Sequence, residues 1–436
     1  MEFVSIQTAI QQAINQKKEV MEKVSLRGWC YRERKSAKLA FIVLRDDTNT
    51  IQCVIERAIV SLETWTFAEQ VCIESSIWVQ GTLHEDKRAP TGYELHVTNM
   101  GIYQLAERFP ITKDQSTEFL LDVRHLWLRS RELTNVWKVK AEVLRAIREF
   151  FLHKKYYEVT PPIITASSCE GGSTLFKIKY FEDEAYLSQS AQLYLEAMIF
   201  SLKRVYAITP SFRAEPSKTN RHLTEYWHLE GEEAFMNFEQ LLSLEQELIS
   251  FICTWVAEHA EEALKILGRD PEDLKKIITP FPRISYEEAL EILKKDGIDV
   301  MWGKDLRTVE EEALMKHYDK PLLVTRYPKE IKAFYMKDDP NDKRVVLCCD
   351  VLAPEGYGEI IGSSERETDV NILIAKLKAQ GEKPEHYNWY LDLRRFGSVQ
   401  HSGFGLGVER VVRWLCKLES IRDAMPFPRT IKRMTP

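Results

Sequence analysis

The chain has 436 residues, enough for two or three domains. Apolar residues make up 44% and charged residues 29%, with a net charge of −6, so real cores can form but no global basic field exists to attract nucleic acid. No stretch approaches the roughly 18 to 20 apolar residues that a membrane helix needs, and residues 1–20 lack an apolar core behind a basic start. A cytoplasmic protein with no membrane contact is expected. The eight cysteines form no CxxC pair and no compact cluster with histidine, which reads as reduced thiols.

In chain order, residues 1–105 read mostly as strands: 24–31, 39–46, 50–56, 76–83 and 94–104, with a helix over 59–71. Five short strands with a helix after the third fit a small closed barrel of the OB type. Residues 106–130 form a polar connector containing Pro110. From 132 to 153 the apolar positions Leu133, Val136, Val143, Ile147 and Phe150 recur at helical spacing. A strand over 157–159 precedes Pro161 and Pro162. Strands and helices then alternate to residue 436, including a long helix over 238–267 and a shorter one over 286–295. The predicted fold class is α+β: an N-terminal β-barrel over 1–105, a linker over 106–130, and a larger domain over 131–436. Neither GxGxxG nor GxxxxGK[ST] occurs in it, so any nucleotide must be held in another way.

Within the barrel, Arg27, Arg32, Arg34, Lys35, Lys38 and Arg45 are interleaved with Trp29 and Phe41 against a single acid, Glu33. Such a strip can hold unpaired bases, with phosphates on cations and bases on rings. It can equally be a solvated hairpin with both aromatics in the core. In the larger domain, SFRAEPSKTNRHLTEYWHLEGE (211–232) places Arg213 and Glu215 at alternate positions of an expected strand, then a polar loop, then Arg221, His222 and Tyr226. Arginine forks and a flat ring can grip a polyphosphate and cover a purine, or form a salt-bridged hairpin. HSGFGLGVERVVRWL (401–415) alternates Gly403, Gly405 and Gly407 along a strand that runs into a helix with Arg410 in its first turn.

Together these segments resemble the class II aminoacyl-tRNA synthetases of the aspartyl/asparaginyl/lysyl subclass. GWCYRERKSAKLAFIVLRDDTNTIQCVI (28–55) is similar to the anticodon-binding barrel, although Ala37 stands where a hairpin glycine is common. The resemblance implies that Phe41 stacks on the middle anticodon base and that Arg34 and Gln52 contact anticodon bases. Residues 211–232 resemble motif 2, GLGVER (405–410) resembles motif 3, and the helix, strand and Pro162 over 132–162 resemble motif 1, which builds a homodimer interface in the family. The implied catalytic domain is an antiparallel sheet flanked by helices. Its ATP site comprises Arg213, Glu215, Arg221, His222, Leu223, Tyr226, Glu359, Gly407 and Arg410. In LCCDVLAPEGYGEIIGSSERE (347–367), Glu359 matches the main Mg²⁺ carboxylate and Asp350 a second. Arg213, Arg410 and Glu359 are the implied catalytic residues.

The motif 2 spelling, with Ala214 between Arg213 and Glu215, disfavours a lysyl enzyme. Aspartyl enzymes resemble QSPQxxKQ where this chain has QSAQLYLE (189–196), with Leu195 at the lysine position. Leucine cannot pair the substrate carboxylate, whose burial alone costs several kcal/mol. The resemblance implies L-asparagine as the amino acid and tRNA(Asn) as the acceptor. Glu230 would accept from the amide NH₂, Arg366 would donate to its carbonyl, and Glu170, Gln189, Gln192 and Arg213 would complete the amino-acid site. The alternative is an aspartyl enzyme, including one that serves both tRNAs.

Overall fold

The computed structural model describes residues 2–16, 20–166, 174–216 and 221–436. The chain divides into two compact units, Met1–Thr117 and Glu118–Pro436.

The first unit is a closed barrel of five strands: β1 (Val20–Lys35), β2 (Leu39–Arg45), β3 (Thr50–Glu56), β4 (Ser76–Glu85) and β5 (Tyr93–Gln104). They pair around the barrel in the order β1, β2, β3, β5, β4. Alternation drives it: Ala40, Ile42 and Leu44 of β2 are buried while Phe41 and Val43 face outward. The N-terminal stretch differs from the strand-rich expectation. Ile6–Gln16 is a helix, α1, because Ile6, Ala9, Ile10 and Ala13 form a helical stripe that joins the barrel core. The helix expected over 59–71 is Leu62–Gln70, α2, capped by the Ser61 hydroxyl.

The stretch expected as a connector carries two short helices, α3 (Thr117–Asp122) and α4 (Arg124–Trp127). Arg124 is buried there, its guanidinium donating to the carbonyls of Arg422, Met425 and Pro426. Next comes α5 (Arg131–His153), started by Ser130, whose hydroxyl accepts from Leu133 N at 3.2 Å. Its buried stripe runs from Leu133 through Val136, Val139, Val143 and Ile147 to Phe151. Each such side chain stabilises by about 1.5–3 kcal/mol on burial.

Further strands and helices follow. These are β6 (Tyr157–Glu158), β7 (Ile164–Thr165), β8 (Lys177–Tyr180), β9 (Asp183–Leu187), α6 (Gln192–Leu202), β10 (Arg204–Phe212), β11 (Glu225–Ala234) and α7 (Phe238–His259). The single long helix expected over 238–267 breaks at Ala260, whose φ of −127° leaves the helical region, and restarts as α8 (Glu261–Ile266). Then come α9 (Pro271–Lys275), β12 (Arg283–Ser285), α10 (Tyr286–Lys295), α11 (Thr308–Met315), β13 (Leu322–Thr325), β14 (Cys348–Ala353) and β15 (Gly358–Glu365). The chain finishes with α12 (Val370–Ala379), α13 (Asn388–Arg395), β16 (His401–Gly407) and α14 (Val408–Leu415).

Eight of these strands form one sheet in the order β12, β13, β14, β15, β16, β11, β10, β6. Its centre is antiparallel, as expected, but β12 and β6 join the two edges in parallel. The main core lies between this sheet and α5, α7 and α14. No helix among the described residues is long and apolar enough to cross a membrane.

Candidate active site

The antiparallel centre of the sheet carries a cavity of about 550 Å³, lined by Gln192, Arg213, Glu230, Asp350, Glu359 and Arg366, among others. Beside it a cleft of about 90 Å³ is lined by Arg221, His222, Leu223, Tyr226, Gly407 and Arg410. Arg213, Glu215, His228, Glu359 and Gly405 line both, so the two are lobes of one site.

The strand floor explains the glycines. On β11, His228, Glu230 and Glu232 alternate toward the cavity, and opposite them on β16 stand Gly407, Gly405 and Gly403. A Cβ on Gly403 would lie 1.8 Å from Glu232 Oε2, and one on Gly405 would lie 2.5 Å from His228 Nε2. The glycines leave room for polar side chains to lie across the neighbouring strand.

In the cleft, β10 ends at Phe212, and Arg213 and Glu215 follow it rather than continuing the strand as expected. Beyond the Phe212–Glu225 rung the chain leaves the β11 ladder, and Ala214 N donates to Thr174 O instead. Arg213 still points into the site, its guanidinium 5.7 Å from the Tyr226 ring centre. Leu223 packs with Ile421 and Met425, and Tyr226 rests against them. Arg221 donates to Glu311 Oε2 at 3.1 Å, Glu312 Oε1 at 2.8 Å and Gly356 O at 2.6 Å. His222 lies 3.8 Å from Glu215. Burial, with Arg410 next, holds the His222 imidazole below its ordinary range. From the first turn of α14, Arg410 Nη1 reaches Glu359 Oε2 at 2.9 Å.

Asp350 and Glu359 converge because of a β-bulge. Asp350 pairs with Gly362, but Leu352 pairs with Glu359, so one extra residue sits on β15. Ile360 and Ile361 both face the core, and Glu359 turns to the side of Asp350. A Cβ on Gly362 would be 3.2 Å from Glu359 Oε1 and 3.8 Å from Asp350 Oδ1. Lys332 Nζ holds Asp350 Oδ2 at 2.8 Å. Burial pushes Asp350 up to about 6 against the pull of Lys332, with Glu359 adding to the rise. Burial, then Glu359, pushes Glu311 up to about 7. Burial opposes ionisation of Glu359, but Arg410 and Lys332 outweigh it and hold its carboxyl low. Converging carboxylate oxygens of this kind suit a hard divalent cation such as Mg²⁺.

At the far end of the cavity, Glu230 is 3% exposed and accepts from Ala191 N at 2.8 Å and from the Ser190 hydroxyl. Burial pushes its carboxyl up, and the bonds from Ser190 and Ala191 oppose this. Arg366 forms a two-pronged pair with Glu232, at 3.1 and 3.0 Å, and donates to Ser364 Oγ at 2.7 Å. Leu195 lines the same cavity and is fully buried.

Most residues expected in the site therefore meet there. Gln189 is outside the cavity wall, with Nε2 donating to Thr174 Oγ1 at 2.6 Å. Glu170 lies outside the described residues. Sequence reading missed Glu232, although its period-2 spacing from Glu230 was a usable signal. It also missed Lys332, Glu311 and Asp305, which come from segments with no motif.

On the barrel, Arg34 pairs directly with Phe41, and Gln52 pairs with Val43, two positions along from Phe41. Arg34 is exposed, and Phe41 and Gln52 are half-buried, on the outer face. Trp29 is 45% exposed, so the strip does not send both aromatics into the core.

Comparison with known proteins agrees with this geometry. Residues 116–431 match the family model described as tRNA synthetases class II (D, K and N), and residues 24–103 match that of the OB-fold nucleic acid binding domain. The chain is 51% identical to an asparagine–tRNA ligase of Thermococcus kodakarensis over 95% of this chain and 96% of that one. The asparaginyl-tRNA synthetase of Pyrococcus horikoshii, solved with asparaginyl-adenylate, superposes with a TM-score of 0.95 at 47% identity, covering all of both chains. That of Entamoeba histolytica superposes with a TM-score of 0.88 at 32% identity, over 95% of this chain and 97% of that one. An OB-fold barrel followed by a glycine-floored, arginine-lined site on an antiparallel sheet thus carries the family's two parts in order, and the chain belongs to the class II tRNA synthetases of the aspartate, lysine and asparagine group.

Proposed function

We propose that the chain is an asparagine–tRNA ligase, forming asparaginyl-adenylate from L-asparagine and ATP and passing the asparaginyl group to tRNA(Asn). The observation that carries this reading is the side-chain end of the cavity. Leu195 offers no cation there, Arg366 has its charge offset by Glu232 while its guanidinium lines the cavity as a donor for the amide carbonyl, and Glu230 stands ready as an acceptor for the amide NH₂. A neutral amide, with both a donor and an acceptor, fits this set; a carboxylate meets Glu230 as a like charge. A site built on hydrogen bonds selects without editing.

In the first step an oxygen of the asparagine carboxylate attacks the α-phosphorus of ATP, and pyrophosphate leaves. Arg213 neutralises the charge that develops on the α-phosphate. Tyr226 and Arg410 cover the two faces of the adenine, with Leu223 and Gly407 shaping the slot and Glu215 at its edge. Arg221 exchanges its acidic partners for the outer phosphates, beside His222. Glu359 and Asp350 would hold Mg²⁺, which would supply positive charge to the phosphate oxygens. Gln192 contacts the amino acid, with Gln189 bracing the wall behind it. In the second step the terminal ribose hydroxyl of the tRNA attacks the adenylate carbonyl and AMP leaves. No side chain is a covalent nucleophile; positioning and fixed charge supply the catalysis.

Arg34, Phe41 and Gln52 form the anticodon patch on the barrel. The chain works as a cytoplasmic homodimer through α5 and the segment after it, where Leu152, Tyr157 and Ile164 are exposed apolar residues that a second copy would cover. The direct test is ATP–pyrophosphate exchange with L-asparagine and with L-aspartate, followed by charging of tRNA(Asn). Exchange with asparagine alone is expected. Exchange with aspartate alone would sink the reading and leave an aspartyl enzyme.

A further inference from the structure

Behind the cavity lies a buried polar cluster that the mechanism above does not use. Glu196 sits one turn after Gln192 on α6 and is fully buried. Four donors surround its carboxylate. Gln192 Nε2 reaches Oε1 at 2.9 Å, and Tyr390 Oη, Arg394 Nη2 and His401 Nε2 reach Oε2 at 2.7, 2.5 and 3.1 Å. Ligand atoms of Glu196, Glu232 and His401 all lie within 4.8 Å of one another. This arrangement could suggest a metal, but Arg394 and Arg366 already supply positive charge to the two carboxylates. It is a charge network that joins α6, α13, β11 and β16 to the wall of the amino-acid pocket.

Two consequences follow from the chemistry. An ionised carboxylate only accepts hydrogen bonds. Gln192 must therefore turn its nitrogen toward Glu196 and its oxygen toward the cavity, where it meets an N–H of the ligand. Glu196 also offsets part of the positive field of Arg366 and Arg394 at the end of the pocket. Without it the pocket becomes one unit more positive, and a charge change at a fully buried position acts strongly over several ångströms.

We infer that Glu196, which touches no substrate, is a specificity-determining positioning residue: it orients the Gln192 amide and balances the charge behind the pocket so that a neutral amide is preferred to a carboxylate. Burial opposes ionisation of Glu196, but Arg394, His401 and Arg366 outweigh it and hold the carboxyl well below the usual range. This inference rests on the asparagine reading of the site.

The test is Glu196→Gln in the full-length chain, assayed by ATP–pyrophosphate exchange with L-asparagine and L-aspartate. Glutamine keeps the shape, loses the charge and frees the Gln192 amide to flip. The ratio of kcat/KM for asparagine over aspartate is expected to fall by on the order of tenfold or more. KM for aspartate should drop while KM for asparagine rises. A merely structural role would raise both KM values together and leave the ratio unchanged, which overturns the inference while the asparagine reading stands. Wild-type exchange with aspartate in place of asparagine would sink that reading and this inference with it. Should Glu196→Gln fail to fold, the double variant Glu196→Gln/Arg394→Met removes one charge of each sign. It restores the charge balance but still leaves the Gln192 amide free to flip, so a reduced preference for asparagine is expected to persist; complete loss of the preference in that variant overturns the charge-balance argument.

Discussion

Glu359 Oε2 accepts from Arg410 Nη1 at 2.9 Å, so the residue expected to bind the metal and the residue expected to cover the nucleotide are in direct contact across β15 and α14. Each limits the freedom of the other before any substrate arrives. Glu359→Gln should therefore weaken both functions. We expect the Mg²⁺ concentration for half-maximal ATP–pyrophosphate exchange to rise at least tenfold. An unchanged Mg²⁺ titration would remove Glu359 from the metal site.

Arg213 lines both lobes of the site, poised 5.7 Å from the Tyr226 ring. Arg213→Ala is expected to lower adenylate formation by about 10²–10³-fold or more, the scale of losing one preorganised charge donor. The melting temperature should stay near that of the wild type, because the side chain is only half-buried. Near-normal exchange by the variant contradicts the assignment.

Phe41 stands on the outer face of the barrel beside Arg34, away from the barrel core. Phe41→Ala should leave amino-acid activation intact and weaken tRNA charging. The loss of one stacked base, about 1–3 kcal/mol, corresponds to roughly 5- to 150-fold in kcat/KM for tRNA. Measuring exchange and charging on the same preparation separates the two. Equal loss in both assays would point to a folding defect rather than an anticodon contact.

Gly403 faces Glu232 with no space for a methyl group, a Cβ there falling 1.8 Å from Oε2. Gly403→Ala must displace Glu232 and with it the Arg366 pair. A destabilisation of about 1–3 kcal/mol is expected, as for other overpacked cores, together with a large rise in KM for the amino acid. A crystal structure of the variant with the Glu232–Arg366 pair undisturbed would refute the argument.

Glu245 on α7 is fully buried, with the Ser363 hydroxyl beside its carboxyl and opposing the effect of burial. Burial pushes its carboxyl from 4.5 up to about 8. Between these values the folded protein holds a proton that the unfolded chain has released. Stability therefore falls as pH rises from about 4.5 to 8 and levels off above that. Glu245→Gln cannot ionise, so its advantage in melting temperature should grow across this window to a few kcal/mol equivalent. Parallel melting curves for the two proteins from pH 5 to 9 would show that Glu245 does not titrate with folding.

Much of the site is written in local patterns, and those patterns determine what they can by themselves. Alternation lines up Gly403, Gly405 and Gly407 along one strand and places Arg410 just inside the helix that follows, whereas the outward placement of Phe41, left open by the sequence, was decided by the fold. The stripe from Leu133 to Phe151 dictates α5 through its 3.6-residue spacing. What depends on contacts distant in sequence was out of reach. Only the bulge on β15 turns Glu359 to the side of Asp350; an unbroken ladder would have sent it into the core. Only the fold brings Lys332 to Asp350 and closes Arg394 and His401 around Glu196, some two hundred residues away in the chain. Sequence determined which side chains can grip phosphate and which strands carry them, because periodicity is a local property of the backbone. Tertiary structure decided which charges meet, because the free energy of a buried carboxylate depends on partners that arrive from elsewhere in the chain.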